Sequence, residues 1–194
     1  RKGTVKKTAK TEFENIRRSG IVAIKLDKGD ELVWTNPTMG ADDIFVYTRD
    51  GKCIRFSEKS VRSLGRATRG VRGIKLVGDD LVVGMDVVKI GEVPMLITIM
   101  ENGYGKKTVV KEFNAQSRGG MGVKIAEVTA KTGKVASSQV IPPNCKEIII
   151  TSHKGQVVRL DIDSIPKLSR ATQGVILMRF SKENDGVAAM TCVE

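Results

Sequence analysis

The chain of 194 residues is poor in aromatic residues, with one Trp, two Tyr and five Phe, 4% of the total. Large rings therefore cannot build its core. The 40% apolar fraction has to do so with Val, Ile, Leu, Met and Ala. A single histidine, His153, excludes any metal site assembled from several imidazoles. The three cysteines, Cys53, Cys145 and Cys192, are odd in number and far apart, and no C-x-x-C pair occurs. That spacing argues against a disulfide framework or a zinc site, and for buried, inert thiols in a reducing cytosol. No 18-residue apolar run and no secretory leader is present, so the reading is neither membrane-spanning nor secreted. The chain starts at Arg1 without Met, in what reads as the middle of a hairpin, and is expected to be part of a longer protein. Helical periodicity is also scarce. The best helical stretches, 58–64 and 161–166, allow a turn or two each.

Charge is plentiful and unbalanced. Lys and Arg number 33 against 22 Asp and Glu, a net +11. Such an excess fits a solvated basic surface or a polyanionic partner, and favours the second.

The architecture is written in an internal repeat. Four segments share a turn glycine followed by an extended basic stretch, with the glycines at Gly3, Gly51, Gly103 and Gly155, spaced 48, 52 and 52. A second landmark, a glycine leading a Val/Ile-rich run, recurs at Gly20, Gly70, Gly122 and Gly174, spaced 50, 52 and 52. Apolar runs at 44–48, 95–99 and 148–151 precede the later turns and read as strands buried on both faces. Asp50-Gly51 and Asn102-Gly103 read as type I′ hairpin turns. Further strands are expected after each second-landmark glycine, Gly20 included, and again at 81–88 and 187–193. About four short strands per unit of roughly 50 residues is the arithmetic of propeller blades. The units fall at 1–43, 44–94, 95–147 and 148–194. No boundary between them has the composition of a flexible linker, so they form one continuous all-β repeat domain.

Basic residues are concentrated in one half of every unit. Residues 1–25 carry +6, 52–75 carry +7, 104–124 carry +4 and 156–179 carry +2, a total of +19, so the remainder carries −8. Equivalent positions of a repeat fold share a face or rim. The sequence therefore predicts a continuous basic track, suited to the backbone of a duplex and blind to its base sequence. Phe13, Phe56, Tyr104 and Phe113 form no periodic stacking platform, which weighs against single strands. Neither Tyr47 nor Tyr104 has a base or metal carboxylates around it in sequence. Tyr47 reads as a core ring and Tyr104 as a turn residue. The pairs Asp42-Asp43 and Asp79-Asp80 read as solvated loop carboxylates.

The segment Gln116-Ser117-Arg118-Gly119-Gly120-Met121-Gly122 places three glycines beside an arginine. Accessible backbone amides and a fixed charge can cradle a phosphate, although glycine-rich turns often serve tight turning alone. It resembles the Q-R-R-G-G-K-G box of the C-terminal domain of the gyrase A protein at five of seven positions, with Ser117 and Met121 in place of basic residues. The stretches 4–8, 70–76, 102–106 and 172–177 are similar to that family too, and the resemblance covers essentially the whole chain.

The resemblance implies a β-pinwheel, a propeller-like array of hairpin-invaded blades, with DNA wrapped around its basic outer edge. Wrapping by that family presents a DNA crossing of defined hand to the enzyme core, which adds negative supercoils at the expense of ATP. The box lies in the third of four units here, so it is expected to be a degenerate copy in a late blade. The family's strand-cleaving tyrosine follows an arginine, a setting that neither Tyr47 nor Tyr104 has. No catalytic residue, metal or cofactor is expected in this chain. The implied partners are duplex DNA and the rest of the gyrase A and B proteins in an A2B2 complex that uses ATP and Mg²⁺, in the bacterial cytoplasm. The expected DNA-binding residues are Lys6, Lys7, Arg17, Arg18, Arg55, Arg62, Arg66, Arg69, Arg72, Lys106, Lys107, Arg118, Arg159 and Arg170. Two other readings stand beside this one. The equivalent domain of topoisomerase IV suits the degraded box. A propeller-like protein-interaction scaffold would show acidic or apolar partner patches in place of a basic track.

Overall fold

In a computed structural model, residues 1–89 and 91–193 are described. Strands dominate. The first unit contributes only β1 (Thr4–Val5). The second contributes β2 (Asp43–Thr48), β3 (Lys52–Ser57), β4 (Val71–Arg72) and β5 (Val82–Val88). The third contributes β6 (Met95–Met100), β7 (Tyr104–Val109), β8 (Val123–Lys124) and β9 (Val135–Val140). The fourth contributes β10 (Glu147–Ser152), β11 (Val157–Asp161), β12 (Val175–Ile176) and β13 (Val187–Val193). Short 3-10 turns cover Lys10–Phe13, Glu58–Ser60, Val110–Glu112 and Ile162–Ser164.

Each sheet but the last takes its outermost strand from the unit that follows. The sheet orders are β5-β2-β3-β8 and β9-β6-β7-β12, with β1-β4 and β13-β10-β11 at the two ends. The register of this exchange repeats at every joint. Thr4 lies opposite Arg72, Lys52 opposite Lys124 and Tyr104 opposite Ile176. Gly73, Ile125 and Leu177 donate their N–H groups to the carbonyls of Gly3, Gly51 and Gly103, at 2.8, 2.9 and 2.8 Å. This is a hairpin invading the next blade, as expected of a β-pinwheel.

Glycine makes the exchange possible. A Cβ at Gly122 would collide with the Cys53 carbonyl, and one at Gly174 with the Gly105 carbonyl. The second landmark is thus the point where two units' backbones touch. At Gly20 nothing lies within 4 Å of a Cβ. Residues 21–26, expected to be a strand, form none. Their counterparts β4, β8 and β12 are strands because the hairpin of the preceding unit pairs with them, and among the described residues no such hairpin meets 21–26.

Two further expectations are corrected. The hairpins are not type I′, because a positive φ at Asp50 or Asn102 would be required and Asn184 is the only described non-glycine residue with one. Instead the Gly51 N–H donates to Thr48 O at 3.1 Å and Gly51 takes φ +77. That is a three-residue loop ending in a left-handed glycine. Asp42 and Asp80 are buried rather than solvated. Asp80 Oδ1 accepts the N–H groups of Asp50 and Leu81, at 2.9 and 2.8 Å, and so pins the hairpin turn. Asp30 accepts from Lys2 and Asp185 from Lys154 in the same way.

The core is aliphatic with a few rings and runs between successive sheets. Ile44, Val46, Ile54, Phe56 and Ile74 pack between the first two units, Phe45, Tyr47, Leu96, Phe113 and Ile125 between the second and third, and Ile97, Ile99, Ile148, Ile150 and Met178 between the last two. Strands β2 and β6 bury five successive residues each, as expected of strands covered on both faces. Strand β10, in the last sheet, buries only alternate residues.

Candidate nucleic-acid interface

The basic halves of the units lie along the edge where hairpins meet the following blade. Each hairpin strand leads to a 3-10 turn and then to a loop ending at the second-landmark glycine. Arg17, Arg18, Arg62, Arg69, Arg72 and Arg159 are exposed there, with Lys59, Lys75 and Lys124 beside them. Arg72 on β4 and Lys124 on β8 occupy equivalent positions, each two residues after its glycine, and both face solvent. Some of these make ion pairs at the surface, as Lys124 does with Glu127 at 2.7 Å. Arg69 meets Asp27 at 3.0 Å with both side chains more than half exposed, and Arg159 meets Glu147 at the open end of the array. Exposed pairs of this kind contribute little and exchange readily for a phosphate.

A second group of expected DNA ligands is turned inward. Lys106 is 0% exposed. Its Nζ donates to Ser169 O at 2.6 Å, Arg170 O at 2.7 Å and Thr172 Oγ1 at 3.1 Å. The ammonium's three donors are all used, so Lys106 is no phosphate ligand, a correction to the sequence reading. Burial pushes its pKa down to about 8, against the pull of Glu112. Lys107 Nζ donates to Ile162 O at 2.6 Å, and Lys7 Nζ to Glu58 O at 3.0 Å. Lys6 Nζ donates to Arg66 O and, at 2.9 Å, to Ala23 O. Arg55 stacks over Phe45 and pairs with Asp43 while donating to Phe113 O at 3.1 Å. The half-buried Lys6, Lys7, Arg55 and Lys107 therefore join neighbouring units. Arg66 is half-buried as well, 3.7 Å from Glu12.

The glycine box is likewise committed to a joint. Gly119 N–H donates to Gly73 O at 2.8 Å, and Gly120 O accepts from Lys75 N at 2.8 Å. Arg118 donates to the carbonyls of Arg72 and, at 3.3 Å, Ser60. Gln116 N–H donates to Arg55 O at 2.7 Å. Ser117 and Met121 are exposed and Gly122 closes against Cys53. The segment staples the third unit onto the second, and the one cation it contains is occupied by backbone oxygens. Arg170, four residues before Gly174 as Arg118 is before Gly122, repeats the staple by donating to Lys124 O at 3.3 Å. Sequence reasoning missed this double use of the basic residues. Its signal was the location of Lys106 and Lys107 on a strand, not in a loop.

The tyrosines sit as structural groups. Tyr47 is fully buried, and burial together with the Asp86 carboxylate holds its phenol well above the ordinary value. Tyr104 opens β7, half-buried beneath Lys131, not in the turn itself. Among the described residues no cluster of three His, Cys, Asp or Glu side chains could hold a metal, and no helix is long and apolar enough to cross a membrane.

Comparison with known proteins accords with this architecture. A family model described as DNA gyrase C-terminal domain, beta-propeller, matches residues 1–38, 42–89, 95–142 and 146–194. The DNA gyrase A protein of Salmonella typhimurium is 41% identical over 192 residues, covering 99% of this chain and 22% of the relative. The gyrase A protein of Staphylococcus aureus is 37% identical over 183 residues, covering 94% and 20%. The chain thus spans about a fifth of the length of these relatives. Among solved structures, a DNA topoisomerase IV C-terminal domain superposes with a TM-score of 0.91 at 25% identity, covering all of this chain and 60% of that one. A DNA gyrase A C-terminal domain superposes at 0.78 with 23% identity, covering 98% and 62%. Four matched repeats, successive blades joined by invading hairpins and relatives along the whole chain agree: the chain belongs to the DNA gyrase C-terminal domain family of β-propeller repeats.

Proposed function

We propose that this chain binds duplex DNA along its hairpin edge and bends it around the array, as the non-catalytic wrapping domain of a gyrase A protein. The observation that carries the reading is the recurrence of exposed cations in the segment around the second-landmark glycine of successive units, from Arg17 and Arg18 through Arg62, Arg69 and Arg72 to Lys124, with Arg72 and Lys124 at equivalent positions. Cations repeated at blade spacing meet phosphates along a curved path and release condensed counterions without reading bases. The inward-turned lysines and arginines keep the blades in fixed relation, so the charges stand on a rigid edge. A rigid curved edge supplies the bend in the duplex from contact energy. Within the whole protein, this bend would feed a crossing to the cleavage core of an A2B2 enzyme. ATP and Mg²⁺ would act there and not in this chain.

Titration of two unrelated duplexes at several salt concentrations tests the reading. Equal affinities that fall steeply with salt are expected. A strong preference for one sequence, or binding indifferent to salt, overturns it.

The equivalent domain of topoisomerase IV is the second reading. It is favoured by the superposition of the whole of this chain on 60% of a topoisomerase IV C-terminal domain at a TM-score of 0.91, and by Ser117 and Met121 in the box. Supercoiling assays of the whole enzyme separate the two. Net negative supercoiling supports gyrase, and relaxation without it supports topoisomerase IV.

A further inference from the structure

Two of the four turn glycines are followed, three residues on, by a lysine whose charge is spent on the next blade. Lys6 and Lys106 each lie three residues after a turn glycine, and each points its ammonium into the loop that precedes the next unit's second-landmark glycine. The acceptors correspond: Lys6 reaches Arg66 O and Lys106 reaches Arg170 O, the carbonyl four residues before Gly70 and Gly174. At the joint between the second and third units the position is Ile54, and no ammonium is present. There the loop is held by the glycine box, with Gln116 N–H on Arg55 O, and Gly120 lies against Ile54.

The bonds of Lys106 are unusual in kind. A buried charge is stable only when its donors are satisfied, and here the acceptors are two main-chain carbonyls and a threonine hydroxyl. The loop that supplies them, 168–173, is also held by Thr108 Oγ1 on Leu168 O at 3.0 Å, the Glu127 N–H on Thr172 O at 3.2 Å and Arg170 on Lys124 O at 3.3 Å. Leu168 N–H donates to Lys107 O at 2.8 Å, and Arg170 N–H donates to Glu112 at 3.0 Å. Removing the ammonium would leave the Ser169 and Arg170 carbonyls without this donor and loosen the middle of the loop.

We propose that Lys6 and Lys106 are latches, positioning residues that fix the loops preceding Gly70 and Gly174 without touching phosphate, and that Lys6 thereby sets DNA affinity through the exposed Arg69 of its loop. The inference rests on the reading of the rim as a DNA track. A latched loop presents its arginine in one place, so the entropy of ordering it is not lost on binding. Lysine latches act at two joints and the glycine box at the joint between them, while Arg118 and Arg170 staple the second and third joints alike.

A double-mutant cycle separates a latch from a ligand. Lys6→Met is compared with Arg69→Ala and with the pair, by duplex titration at several salt concentrations. Hydrogen exchange of the 64–69 amides is followed on the same proteins without DNA. A latch makes the two substitutions non-additive. Lys6→Met weakens binding about fivefold in the parent and little in the Arg69→Ala background, and exchange in the loop quickens. A direct ligand gives additive losses and a further fall of about 0.9 in the salt slope, with loop exchange unchanged, and overturns the proposal. Unchanged exchange and unchanged affinity overturn it too. At the fully buried joint Lys106→Met should likewise quicken exchange of the 168–173 amides, and unchanged exchange there removes that latch. Failure of the parent chain to bind duplex would sink the DNA reading. The exchange measurement would still decide whether the latch exists.

Discussion

Glu58 and Asp42 hold each other across the junction of the first two units. The Glu58 N–H donates to Asp42 O at 2.9 Å, and the Asp42 N–H donates back to Glu58 Oε1 at 3.0 Å. The Glu58 carboxylate also accepts from Thr38 Oγ1 at 2.7 Å and Gly40 N–H at 2.6 Å, with Lys7 Nζ at 3.6 Å. One buried carboxylate therefore gathers the end of the first unit, its hairpin lysine and the start of the second.

Acid should loosen this junction. Burial by itself would raise the Glu58 carboxyl, but the bonds from Asp42, Thr38 and Gly40 and the charge of Lys7 outweigh it and hold the pKa below the usual value. Asp30 and Asp185 are lowered on the same balance. A lowered carboxyl contributes stability that is present above its unfolded pKa and is lost as pH falls through the folded one. Unfolding followed by circular dichroism should show stability falling from about pH 4.5 downward. Glu58→Gln should cost about 1 to 3 kcal/mol at pH 7 and flatten the acid limb. An unchanged acid limb in that variant would remove Glu58 from the account.

The second unit should dominate DNA binding. Replacing both Arg62 and Arg69 with Ala should weaken binding to every duplex and flatten the salt slope by about 2, roughly 0.9 for each contact. Adding Arg66→Ala should flatten it by less than a full contact, because Arg66 is half-buried beside Glu12. Arg159→Ala, in the least basic unit, should do less than either exposed arginine. A parent-like slope in the Arg62 and Arg69 variant would place the track elsewhere.

Gly20 and Gly122 offer a matched pair of substitutions. Both have positive φ, +75 and +72. Alanine at Gly20 meets open space and should cost about 1 kcal/mol of backbone strain. Alanine at Gly122 adds a collision with the Cys53 carbonyl and should cost about 3 kcal/mol or more. Equal thermal shifts in the two variants would show that close approach between units is not what selects the glycine.

The thiols should be sluggish. Burial pushes Cys53 up to about 12, and burial together with the neighbouring Cys145 pushes Cys192 up to about 12. At pH 8 neither forms appreciable thiolate, the reactive species. Alkylation of the folded chain should be slow at all three positions and fast only in denaturant. Rapid labelling of Cys53 in the native state would contradict the packing between the second and third units.

The period of the repeat, the all-β class and the basic halves of the units were determined by the sequence alone. Gly3, Gly51, Gly103 and Gly155 mark turns whatever surrounds them, because the need for a left-handed residue is local. The hydrophobic runs 44–48 and 95–99 read as doubly covered strands by composition. Other features depended on what lies next to a segment in space. Residues 21–26 have the composition of β4, β8 and β12 but no neighbouring hairpin among the described residues, and a strand needs a partner for its N–H and C=O groups. Asp80 looked like a loop carboxylate until the turn amides of Asp50 and Leu81 closed on it. Arg69 and Lys106 carry the same charge in the same basic halves, yet one faces solvent and the other lies wholly within the joint between two blades. Charge is a property of the residue, whereas its availability to a phosphate depends on which backbone oxygens the tertiary structure brings within reach.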